Sequence, residues 1–127
     1  NQAWPILRPL LDGFCMHAYT GITGNVGQAI NDIVSQVKEL QAYLNLQVPL
    51  IVSECSVNRY IAGGDGLIDR DATDRFRAAV YRGVDTALGQ VPGVEACVYY
   101  ISYWSETQDI NKESWLNTSL PTYYKNG

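Results

Sequence analysis

The sequence predicts an α/β fold of parallel strands alternating with helices, and three observations predict it. Residues 48–55, Val-Pro-Leu-Ile-Val-Ser-Glu-Cys, are a short run of branched apolar residues that reads as a buried parallel strand. From Val26 to Leu44 apolar residues recur every three or four positions, which is one face of an amphipathic helix. A second helical pattern and a third apolar run follow. The order is then strand, helix, strand, helix, strand, and connections of this length join parallel strands by right-handed crossovers.

Taken in order, residues 3–11 contain Pro5 and Pro9, which keep any helix there short or broken. Asp12-Gly13 turns the chain into a first strand, 14–19, with Cys15, His17 and Tyr19 on one face and Phe14, Met16 and Ala18 on the other. Gly21 and Gly24 mark a loop, and Asn25 is placed to cap the helix whose apolar face is Val26, Ala29, Ile30, Ile33, Val34, Val37, Leu40 and Leu44. In the next strand, strict alternation puts Leu50, Val52 and Glu54 on one face and Ile51, Ser53 and Cys55 on the other, with Glu54 at the carboxyl end. Residues 57–70 read as a loop long enough to be functional. Asp71 is placed to cap the second helix, whose buried face is Phe76, Ala79, Val80, Gly83, Val84, Ala87 and Leu88, and Gly89 with Pro92-Gly93 ends it. The third strand, 94–104, finishes on Trp104. Residues 107–127 form a polar and aromatic tail with one short helix around 112–116.

Composition narrows the function classes. The 127 residues with 46% hydrophobic content suit one domain with a core of its own. A net charge of −4, with no basic cluster interleaved with aromatics, speaks against a nucleic-acid partner. No apolar run approaches the ~18 residues of a membrane span, and no signal-like segment opens the chain, so no membrane partner is expected. Cys15, Cys55 and Cys97 lie singly inside apolar runs and read as buried thiols. With one histidine in the chain, a zinc site is not expected. Nine tyrosines and three tryptophans are enough to build a surface that stacks on flat ligands, although packing accounts for most aromatics. The compartment is left open; a secreted origin is neither required nor excluded.

Glu54 is the leading candidate for chemistry, because in a β/α barrel the carboxyl ends of the strands gather the catalytic loops. Three motifs at such ends occur in order: His17-Ala18-Tyr19, Ile51-Val52-Ser53-Glu54 and Ile101-Ser102-Tyr103-Trp104. Together they resemble the sixth, seventh and eighth strands of a clan A-type retaining glycoside hydrolase, the (β/α)8 group that includes cellulases, mannanases and xylosidases. The tail Leu120-Pro121-Thr122-Tyr123-Tyr124 is similar to the segment that closes such barrels. The resemblance implies the C-terminal portion of a TIM (β/α)8 barrel, about strands 6 to 8, as a single partial domain over 1–127 with 107–127 packing on it as a tail. It implies Glu54 as nucleophile, His17, Tyr19 and Trp104 as substrate-binding residues, a carbohydrate substrate, and neither cofactor nor metal.

The family's acid/base glutamate follows an asparagine on the fourth strand, which this chain does not contain. Glu95 starts the third strand at the wrong end, and Glu106 lies beyond Trp104. The chain alone is therefore expected to be inactive, with activity belonging to a longer parent. Three strands cannot close an eight-stranded barrel, so the partner is either the remainder of the barrel or a second copy. Two alternatives stand beside the glycosidase reading: a cysteine nucleophile at Cys55 assisted by His17, disfavoured because the two face apart under alternation, and a non-catalytic carbohydrate-binding or self-associating half-barrel. In the simplest structural reading Glu54 pairs with Arg59, His17 is a satisfied structural residue, and Tyr60, Trp115, Tyr123 and Tyr124 are surface or tail packing.

Overall fold

In the computed structural model of the chain, the described residues are 3–22, 25–61, 70–100, 115 and 118–127, the side chains of 22, 58–61 and 70–72 excepted. The central element is the strand β2, Leu50–Ile61. It is flanked in parallel by β1, Phe14–Ile22, and β3, Val94–Tyr99, in the order β1-β2-β3. The connections are α2, Val26–Leu44, and α3, Arg70–Leu88. A short α1, Trp4–Leu7, with a following 3-10 turn, Arg8–Leu10, precedes β1, and α4, Leu120–Asn126, ends the chain. This is an α/β structure with a three-stranded parallel sheet and four helices among the described residues, as expected of part of a (β/α)8 barrel.

Local chemistry explains the helix limits. Asn25 caps α2 through its side-chain oxygen, which accepts from the Gln28 N–H at 2.9 Å, and Asn45 closes it in the left-handed region at φ 44°. Both helices pack one face on one side of the sheet. Ala29, Ile33, Val34 and Val37 of α2 meet Ala18, Leu50, Val52, Cys55 and Val57 of the strands in a buried core, with Val80, Val84 and Leu88 from α3. Gly83 lets the two helices approach: a Cβ there would overlap Ile30 Cδ1 and stand 2.9 Å from its Cγ1.

Several sequence expectations are corrected. The second and first strands run on to Ile61 and Ile22, so 57–61 is strand rather than loop and Glu54 lies within β2, not at its end. α3 starts at Arg70, so Asp71 lies inside its first turn, with its side chain outside the described residues. The described tail helix is 120–126, with Pro121 in its first turn where a missing N–H costs nothing. Residues 112–114 and 116 lie outside the described residues. Cys15 is exposed, on the side of the sheet that no described helix covers, whereas Cys55 is buried and Cys97 half-buried.

The face of α3 toward the sheet is also less apolar than the periodicity suggested. Thr73, Asp74, Arg77 and Tyr81 are buried on it, and two of them, Arg77 and Tyr81, complete the hydrogen bonding of β2. The last bond from the β3 side among the described residues is Tyr100 N–H to the Cys55 carbonyl, 2.9 Å. Two residues further on, the Val57 N–H donates to Tyr81 Oη at 3.0 Å and the Val57 carbonyl accepts from Arg77 Nε at 2.8 Å. Side chains of α3 thus satisfy backbone groups of β2 beyond its last described bond to the β3 side, as a buried backbone requires.

Candidate active site

The site is made by an irregularity in β2. Met16 pairs with Val52, but the next residue, His17, pairs with Glu54, so Ser53 is the extra residue of a β-bulge. Its hydroxyl lies 3.3 Å from the Met16 carbonyl. The bulge reverses the alternation. Leu50 and Val52 before it, and Cys55 after it, all face the helices, while Glu54 turns to the opposite face. The expectation that Glu54 shares a face with Leu50 and Val52 is thereby overturned, and the opposite arrangement brings the candidate residues together.

On that open face Glu54 meets β1. The Tyr19 phenol donates to Glu54 Oε2. His17 Nδ1 lies 3.5 Å from the same oxygen, with the imidazole about half exposed and the carboxylate less so. The His17 and Tyr19 rings meet edge-on, centroids 6.1 Å apart. The Tyr19 backbone is fastened to α2 by Gln36, whose Nε2 donates to the Tyr19 carbonyl at 2.9 Å. Cys55 points into the core instead, its thiol hydrogen-bonded to Cys97 and pushed up by that bond and by burial, which leaves it neither near His17 nor disposed to ionise. Trp104 lies outside the described residues, as do the side chains of Arg59 and Tyr60. Glu95 is near the start of β3, beside the Leu50 end of β2 and away from Glu54.

A fold likeness emerges at this point. A Faecalibacterium prausnitzii beta-glucuronidase shares the fold with a TM-score of 0.56 at 18% identity, over 86% of this chain and 19% of that chain. The chain therefore spans about a fifth of that protein's length. No family model matches the sequence, and no curated protein does. The likeness is one of fold.

Three features were not anticipated from sequence. Tyr100, just past β3, stands edge-on to Tyr19 with centroids 6.5 Å apart. Ser56, in register with Tyr19, carries a buried hydroxyl with no partner among the described residues. A groove of about 780 Å³ runs along the outer side of β1 against α2, lined by Met16, His17, Gln36, Leu40 and Tyr43 among others, so His17 borders both it and the Glu54 site. Tyr100 was legible in principle: the run Val98-Tyr99-Tyr100 puts consecutive tyrosines on opposite faces of a strand. The bulge that turns Glu54 had no such signal.

Proposed function

We propose that the chain is the carboxyl-terminal part of a (β/α)8-barrel glycoside hydrolase that cleaves O-glycosidic bonds of an oligo- or polysaccharide with retention, and that Glu54 is its nucleophile. The observation that supports this reading is the convergence of His17, Tyr19 and Glu54 on the open sheet face, with the tyrosine and the histidine both on Oε2. A carboxylate nucleophile attacks as its anion, and a donated phenol O–H stabilises that form. Both contacts fall on one oxygen, which leaves Oε1 as the atom to bond the anomeric carbon. His17 and Tyr19 border the sugar site, and Trp104 supplies an indole for the apolar face of a pyranose ring.

Retention needs a second carboxyl group ~5–5.5 Å from the first, to protonate the leaving oxygen and then activate water. In this proposal it comes from the remainder of the barrel, seated on the edges of β1 and β3 that no strand among the described residues pairs with. The chain by itself is then inactive. A self-associating half-barrel is the second reading, favoured by those two edges and by Val98, 53% exposed on the open face. The test uses the complete enzyme: Glu54→Gln abolishes turnover, and Glu54→Ala regains product formation when azide takes the place of the carboxylate. Full activity of Glu54→Gln would end the proposal. Turnover by the purified 127-residue chain would end the claim that the acid/base lies elsewhere.

A further inference from the structure

We infer that Tyr100 is a positioning residue for this site, acting on Glu54 through Tyr19; the inference rests on the function proposed above. Tyr99 pairs with Cys55 on the helix side of the sheet, so the next residue, Tyr100, emerges on the open face with Glu54. Its backbone is anchored to β2 one residue past the carboxylate, through the N–H bond to the Cys55 carbonyl at 2.9 Å. From there its ring reaches across β2 to β1 and meets the Tyr19 ring edge-on, with an interplanar angle of 90°. Among the described residues Tyr19 also meets His17 edge-on, on its own strand. The ring whose phenol serves Glu54 is therefore held from both sides, by its own strand and by the strand beyond the nucleophile.

The consequence is geometric. Tyr19 is 41% exposed, so the packed core does not enclose its ring. A rotation of roughly 10° about its Cα–Cβ bond carries the phenol oxygen about 1 Å, and a misplacement of that size costs up to about a hundredfold in rate. Tyr100 restricts that rotation by the shape of its ring. Its own hydroxyl is not needed for the purpose.

The test is a double-mutant cycle in the complete enzyme. Tyr100→Leu lowers kcat about tenfold, between the few-fold value of one aromatic edge contact and the hundredfold of a 1 Å displacement, with KM within about twofold. Tyr100→Phe recovers most of it, and Tyr100→Leu causes no further loss in a Tyr19→Phe background. A change confined to KM, a loss that adds in full to that of Tyr19→Phe, or failure of Tyr100→Phe to recover would overturn the inference. A second readout does not depend on activity. In the 127-residue chain with ¹³C-labelled tyrosine, the Tyr19 Cζ resonance moves in Tyr100→Leu and returns in Tyr100→Phe. An unmoved resonance overturns the positioning role. An active Glu54→Gln enzyme overturns the glycosidase reading while leaving the resonance test in force.

Discussion

Replacing Asp74 by alanine should be among the most damaging single changes in the chain. Asp74 and Arg77 sit one helical turn apart on α3, 3% and 0% exposed, with Arg77 Nη1 3.4 Å from Asp74 Oδ1. The other carboxylate oxygen accepts from the Ser119 N–H at 3.0 Å and so ties the start of α4 to α3. Arg77 meanwhile holds the Val57 carbonyl. Asp74→Ala takes away the carboxylate that faces this buried guanidinium, a loss of about 3–5 kcal/mol. Against a typical domain stability of about 5–15 kcal/mol, that is roughly a fifth or more of the total. With an m-value of about 2 kcal/mol/M the urea midpoint falls by about 2 M. Replacing both charges, Asp74→Leu with Arg77→Met, removes the buried cation as well and recovers most of the loss. It does not recover all of it, because the Val57 carbonyl still lacks its donor. The assay is urea unfolding followed by circular dichroism. A midpoint for Asp74→Ala within about 0.3 M of wild type, or a double variant no better than the single, would refute the assignment of a buried, energetically coupled pair.

Other outcomes follow from the same packing. Gly83→Ala should destabilise by about 1–2 kcal/mol, overpacking against Ile30 outweighing the gain in helix propensity, and Ile30→Val should give part of that back in thermal unfolding. In alkali, Tyr99 and Tyr124 both donate to Asp85, and this carboxylate pushes Tyr124 up to about 12, while burial and the same carboxylate push Tyr99 higher still. Their folded-state values exceed the unfolded value near 10, so the folded chain binds more protons above that pH. Their stabilisation is complete below pH 10 and declines above it, the Tyr124 share from there through about 12, and Tyr124→Phe should flatten the fall in urea midpoint over that window. Among the thiols, iodoacetamide should modify exposed Cys15 and half-buried Cys97, whose thiol is lowered by the hydrogen bond to Cys55, and reach Cys55 only on unfolding. Native-state labelling of Cys55 at the rate of Cys15, read by peptide mass spectrometry, would contradict the packing.

The parts of the fold that follow from periodicity were legible in the sequence. The α2 face of Ala29, Ile33, Val34 and Val37 lies where its three-and-four spacing places it, and Asn25 caps that helix as its side chain allows. The strand order came from the same alternation of patterns. What was not legible depends on partners distant in the chain. Ser53 reads like any strand residue, and only the pairing of β1 with β2 makes it a bulge, so strict alternation put Glu54 on the wrong face. Val57 to Ile61 lost their strand character to Ser56, Asn58 and Arg59, residues that sequence propensity assigns to loops. Asp74, Arg77 and Tyr81 carry the helical spacing of the buried face, but a polarity pattern discards them, since charges are buried only when something answers them. The backbone of β2 at Val57 is part of that something, and only the tertiary structure brings it to Arg77 and Tyr81.

The central claim is that Glu54 forms the covalent bond to sugar. Incubating the complete enzyme with a 2-deoxy-2-fluoroglycoside bearing an activated leaving group slows breakdown of the glycosyl-enzyme, and tandem mass spectrometry of the digest then locates the adduct. The expected result is the added mass on Glu54, in the peptide that contains Ile51-Val52-Ser53-Glu54. A catalytically active enzyme that carries the adduct on any other carboxylate, or forms none, would contradict it.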